Sequence, residues 1–258
     1  FILDEFDLKY QNSNLEGNLY FDLSRIDIFN LTETNVFDSV YVDFKFKNSN
    51  IFPPDFYTFY KKIDKNYLKS FSFSSNIKGF GNELFVEKTI LSNKNNLIEF
   101  DSKLSNLFNE KKDYILNFNF RKIKTSSQEI NAIVPEIFGT IIPSSVKRLG
   151  KFQFDGLITL NSNKIESDFN LNLEKGIINS NLNISNLSNI DNAIYKGNIK
   201  GINIDISKFI NFNSINESDF VFEINGRGFT SNYLNSTVEG KINKITFNDR
   251  TLNELKVF

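Results

Sequence analysis

Phe152-Gln-Phe-Asp-Gly-Leu-Ile-Thr-Leu160 and Ile165-Glu-Ser-Asp-Phe-Asn-Leu-Asn-Leu173 set an apolar residue at nearly every second position. Successive side chains of a β-strand point to opposite faces, so each stretch reads as a strand with one apolar and one polar face. The same period returns at 15–23, 40–46, 71–77, 98–104, 114–120, 178–184, 202–206, 220–224 and 234–242. The pattern predicts an all-β chain whose mostly antiparallel strands form a long one-sided sheet. The apolar face of such a sheet has to be hidden against something, so the question of function becomes what covers it.

Composition excludes more than it asserts. At 258 residues and 40% hydrophobic content the chain can form one large all-β domain or two ordinary ones. Its formal net charge is −1, with lysines and carboxylates interspersed, which gives phosphate backbones no long-range attraction and argues against nucleic acid as a partner. Without His or Cys, neither a Ser-His-Asp triad, a Cys-His pair, a His-ligated metal site nor a thiolate site can be built. Glu166 and Asp168 share the polar parity of one strand and read as solvated face residues, not as a glycosidase pair. No enzyme activity, cofactor or metal is expected. The chain starts at Phe1 and has no Met, so it is expected to be an internal or processed segment.

Two interruptions break the strand pattern. After Pro53-Pro54, Phe56, Phe59, Tyr60, Ile63 and Tyr67 fall at helical spacing behind an acidic first turn, which predicts an amphipathic helix over 55–68. In the second, Ser144 is placed to cap a short helix at 145–149, with Gly150 at its end. The expected organisation is a β segment over 1–128 with its helical insert, a connector over 129–149 and a second β segment over 150–258. Six glycines follow an apolar-x-Gly pattern, Gly17, Gly79, Gly156, Gly201, Gly226 and Gly240. Either something approaches the backbone closely at these positions, or they punctuate strand ends.

The apolar parity selects a candidate lining. Phe152, Phe154, Ile158, Leu160, Phe169, Leu171, Leu173, Leu182, Ile184, Phe220, Phe222 and Ile224 are expected to point into one continuous concavity.

Over residues 142–258 the chain resembles the TamB proteins of the AsmA-like group, in the form found in Bacteroidetes-type bacteria. The resemblance rests on Ile142-Pro-Ser-Ser-Val-Lys-Arg-Leu-Gly-Lys-Phe-Gln-Phe-Asp-Gly156, a short helix feeding a Phe-x-Phe-x-Gly strand. It continues through Tyr195-Lys-Gly-Asn-Ile199 and Phe222-Glu-Ile-Asn-Gly-Arg-Gly-Phe-Thr-Ser-Asn-Tyr-Leu234, then Val238-Glu-Gly-Lys-Ile242. Where the family carries an aromatic soon after the position of Asn248, this chain has Asp249-Arg250-Thr251. The resemblance implies a curved, repetitive sheet forming an apolar groove, a β-taco, within a periplasmic protein anchored to the inner membrane through a segment outside this chain. It also implies phospholipid acyl chains as cargo and an outer-membrane partner of the Omp85 type. Two rival readings are an outer-membrane β-barrel, whose strands also alternate, and a structural or adhesive β-sandwich whose two sheets cover each other.

Overall fold

The computed structural model describes residues 1–25, 38–107, 113–135, 144–209, 215–229, 232–248 and 250–257. Residues 136–143 of the connector, Thr230 and Ser231 of the Phe222–Leu234 stretch, and Asp249, where the chain departs from the family, lie outside them. The chain is all-β and divides into two compact units, one of residues 1–124 with 129–135, the other of 125–128 with 136–258. Unit one holds β1 (Ile2–Tyr10), β2 (Ser13–Asp22), β3 (Tyr41–Ile51), β4 (Phe71–Phe80), β5 (Glu83–Ser92), β6 (Leu97–Ser105) and the body of β7 (Ile115–Ser126). Unit two holds β8 (Lys151–Asn161), β9 (Lys164–Leu173), β10 (Ile177–Ser185), β11 (Ile194–Asp205), β12 (Ile215–Arg227), β13 (Asn235–Phe247) and β14 (Arg250–Val257). Within each unit every strand pairs antiparallel with its neighbour in the chain.

Cross-strand partners in an antiparallel pair share a face, so the register shows where the apolar residues go. In unit one a row runs Leu19, Phe44, Ile77, Val86, Ser102, Phe118, and beside it another runs Phe21, Val42, Gly79, Leu84, Leu104, Leu116. In unit two Phe154, Leu171, Ile178, Gly201, Phe220, Ile242 and Leu255 form one such row.

Keeping one face apolar requires an extra residue wherever the sequence slips out of phase. Glu5, Asn48, Lys88, Asn203 and Glu254 all have left-handed backbone conformations, with φ of 57°, 51°, 53°, 54° and 55°. Each separates two same-face residues that are three apart: Leu3 and Phe6, Phe46 and Ser49, Val86 and Thr89, Gly201 and Ile204, Leu252 and Leu255. The first four coincide with register shifts and are β-bulges, which bend a strand and increase its twist. A bulge leaves a backbone N–H without a ladder partner, and two of these are met from the next strand. Lys88 donates its N–H to Asp101 Oδ1 at 2.6 Å, and Asn203 donates to Asp219 Oδ1 at 2.6 Å. The bulge at Asn203 overturns the expectation of plain alternation over 202–206. Ile202 pairs with Ile177 on the polar face and is exposed, whereas Ile204 is buried on the apolar face.

The amphipathic helix expected over 55–68 does not form. Only Pro53–Thr58 is helical, as a 3-10 turn, and the rest is a strap of successive turns. Tertiary partners take the backbone groups that a helix would use. Asp64 N–H donates to Ile133 O (2.9 Å), and its carboxylate accepts from Asn66 N–H (2.9 Å). The strap is pinned along the strand ends of unit one. Asp55, buried, accepts from Asn12 N–H (2.9 Å) and Ser13 Oγ (2.7 Å) in the β1–β2 turn. Tyr67, also buried, stacks on Phe71 at 6.3 Å, and burial pushes its hydroxyl above the usual phenol range. Lys69 Nζ meets Glu129 Oε1 at 2.7 Å, in the helix α1 (Ser127–Ile133), and Asn95 Nδ2 donates to the same oxygen at 2.7 Å. Desolvation alone would raise the Glu129 pKa, but the hydrogen bonds from Lys69, Asn95 and Asn96 outweigh it and hold the carboxyl below its ordinary range. The helix expected at 145–149 is a 3-10 turn at Ser144–Arg148, followed by Gly150 at φ 70°.

Removing the bulge acceptor with Asp219→Ala should cost about 1–2 kcal/mol, and Asp219→Asn, which keeps an acceptor oxygen, should cost less. Urea midpoints at constant slope check this. Glu129→Gln should destabilise the protein at neutral pH. Because the folded carboxyl is held low, its contribution is present above the ordinary glutamate pKa and is lost as pH falls through the folded value. The difference between wild type and Glu129→Gln should therefore close in acid, as measured by denaturation at a series of pH values.

Candidate functional site: the apolar sheet face

All twelve candidate lining residues lie on one face of the unit-two sheet. The register runs Leu160–Ile165–Ile184–Tyr195, Ile158–Ser167–Leu182–Gly197–Ile224 and Gly156–Phe169–Ser180–Ile199–Phe222 in successive rows, flanked by the Phe154 row and by Phe152 opposite Leu173. No register shift interrupts β8, β9 and β10, so simple parity suffices there. Along β11 the two faces differ in exposure: Tyr195 and Ile199 are half-buried and Gly197 and Gly201 buried, while Lys196, Asn198 and Lys200 are exposed.

The rows also extend the lining beyond the twelve candidates. Tyr195, Ile199, Val238, Ile242 and Leu255 belong to the same face of unit two, and within unit one Leu19, Phe44, Ile77 and Phe118 share a face of their own. A signal for Tyr195 and Ile199 was present in their spacing around Gly197. Small and large residues alternate across the strands on this face. Gly201 lies between Ile178 and Phe220, Gly197 between Leu182 and Ile224, and Gly240 between Phe222 and Val257. In unit one Gly17 lies between Phe6 and Phe46, whose rings meet across it edge to face at 6.0 Å.

The apolar-x-Gly residues therefore sit inside strands, and close approach is the reason for them. A Cβ at Gly201 would lie 2.5 Å from the Phe220 ring, and one at Gly226 would lie 2.5 Å from the Tyr195 ring. Those rings cannot simply swing aside, since Phe220 stacks on Phe222 at 4.9 Å and Tyr195 on Phe229 at 5.0 Å. Small hydroxyls fill the remaining low positions. Ser75 and Thr89 bond each other at 2.8 Å while buried, and Ser180 Oγ donates to Asn198 O at 3.1 Å. These three hydroxyls thus stay satisfied without breaking the apolar surface, whereas the buried Ser218 Oγ on the same face has no hydrogen-bond partner among the described residues.

Within each unit the strands all belong to one antiparallel sheet, so among the described residues no second sheet is present in the same unit. Nor, among the described residues, does any pairing join β1 to β7, or β8 to β14, as closure of either unit into a barrel would require. Among the described residues no cluster of three or more His, Cys, Asp or Glu could hold a metal ion, and no helix is long and apolar enough to cross a membrane. A hollow of about 420 Å³ on the opposite, polar face of unit two is lined by Asn198, Glu223, Glu239 and Lys241 among others. Searches with protein-family models, among curated proteins and among solved structures find no match to the chain.

Gly201→Ala should destabilise the protein by about 1–3 kcal/mol through overpacking against Phe220. Combined with Phe220→Leu the cost should be smaller than the sum of the two single changes, read from denaturant melts of all four proteins. Strict additivity would show that the two positions do not share one space.

Proposed function

We propose that the chain is a segment of a TamB-like envelope protein whose apolar face carries phospholipid acyl chains between inner and outer membranes, without catalysing a reaction. The observation that carries this reading is the register. It makes the apolar side chains continuous from strand to strand, in a unit whose strands all belong to one sheet. A lipid chain of about 16 methylenes in water is unfavourable by about 13 kcal/mol at ~0.8 kcal/mol per methylene, so a carrier needs an uninterrupted apolar track. A strand ladder supplies one at a repeat of about 4.8 Å per strand. The alternation of ring and glycine supports the reading as well, because it keeps the face apolar while leaving low positions between the rings. A periplasmic location and an Omp85-type outer-membrane partner belong to the proposal through the resemblance alone.

The competing sandwich makes the opposite demand on the same residues. A carboxylate on an open track stays near water and only interrupts the apolar surface, whereas in a closed core it is buried without a partner. Phe154→Asp and Phe222→Asp should each abolish photo-crosslinking to an acyl-labelled phospholipid while shifting the melt little. A collapsed melt together with no crosslinking by the wild type would reject the track in favour of a closed core.

A further inference from the structure

The strap at 52–70 has an inner side that the fold uses and an outer side that it does not. Outward-facing Phe59 is 78% exposed and Leu68 83% exposed, and Tyr60 lies open beside them. Exposure of this kind is tolerated singly on any surface, but here three large apolar side chains share one short segment. Lysines flank them. Lys61 and Lys65 both rest on the Tyr57 ring, with Nζ 4.7 and 3.9 Å from its centroid, so one aromatic platform gathers two ammonium groups. Lys62 is exposed between them, and none of the three forms an ion pair among the described residues. Across residues 57–68 Asp64 is the single acid, and its carboxylate already accepts from Asn66 N–H. Lys94, in the β5–β6 turn to which Tyr67 bonds through Asn93, adds an exposed charge at the same strand ends.

We infer that this strap is a docking surface for a lipid bilayer carrying anionic headgroups. Interfacial anchors combine aromatic and aliphatic side chains that enter the headgroup boundary with lysines that meet the phosphates, and the strap presents both from one rigidly pinned segment. An acidic peptide would match the charge but would leave Phe59 and Leu68 without a role, whereas a neutral bilayer would leave the lysines without one. The inference concerns the strap of unit one alone and stands whether or not the sheet face carries acyl chains.

Vesicle flotation with the full chain tests it. Wild type should float with vesicles of mixed phosphatidylglycerol and phosphatidylcholine, should not float with phosphatidylcholine alone, and should release as salt is raised. The triple variant Lys61→Gln, Lys62→Gln, Lys65→Gln should lose affinity by roughly a hundredfold, given three charges near an anionic surface. Phe59→Ser with Leu68→Ser should lose at least about tenfold, since the apolar contact goes with them. All five side chains are exposed and their contacts with the Tyr57 and Phe56 rings are weak, so the urea midpoints should move little, and the wild-type salt titration decides the matter even if a variant misfolds. Equal binding to neutral vesicles, no binding by wild type, or undiminished affinity in either variant would overturn the inference.

Discussion

In both units the sheet depends on one constraint, that most large apolar side chains of a strand must reach the same face. With a side-chain period of two, a single slip would send the rest of a strand's apolar residues to the wrong side. Four of the slips are corrected with a residue in the left-handed region, at Glu5, Asn48, Lys88 and Asn203. Only two of these are asparagines, which tolerate that conformation best, so the backbone accepts strain of about 1 kcal/mol at the others to keep the face intact. The acceptors at Asp101 and Asp219 reduce the cost by giving the displaced N–H groups of Lys88 and Asn203 a partner.

The same corrections explain what could be read from sequence. Strands β8, β9 and β10 contain no bulge, and their lining residues were legible from alternation alone. Strands β1, β5 and β14 went unseen because each changes parity midway. In β5 the apolar face runs Leu84, Val86, then Thr89 and Leu91, which breaks any period-two template. The strap was misread for a different reason. Its helical spacing of aromatics is real, but the acceptors and donors that decide its conformation, Ile133 O, Asn12 and Glu129, lie far away in sequence. The glycines were ambiguous because the ring that needs the space stands on the neighbouring strand, as Phe220 does for Gly201.

In each unit burial is spread over the sheet. It is found in strand-end features, such as Asp55 and Tyr67 in unit one and Leu149 and Ala193 in unit two, and at mid-strand positions such as Ser75, Thr89, Ser180 and Phe220, while many other side chains of the apolar face remain half-buried. The β10–β11 connection is one such strand-end feature in unit two: Ala193 O accepts from Gly228 N–H at 2.8 Å and Ile190 O from Phe229 N–H at 3.2 Å, tying that loop to the end of β12.

The pairing of each glycine with a ring on the adjacent strand has a consequence for how such a chain can change over evolutionary time. Gly201 and Phe220, or Gly226 and Tyr195, are one volume shared by two positions some twenty to thirty residues apart. Neither member can drift alone, but the two can trade places, with the bulk moving to the first strand and the gap to the second, and the surface they build together would keep its texture. Descent in a sheet of this kind would then be recorded less in invariant residues than in correlated exchanges between neighbouring strands, a pattern that comparison of single positions would pass over.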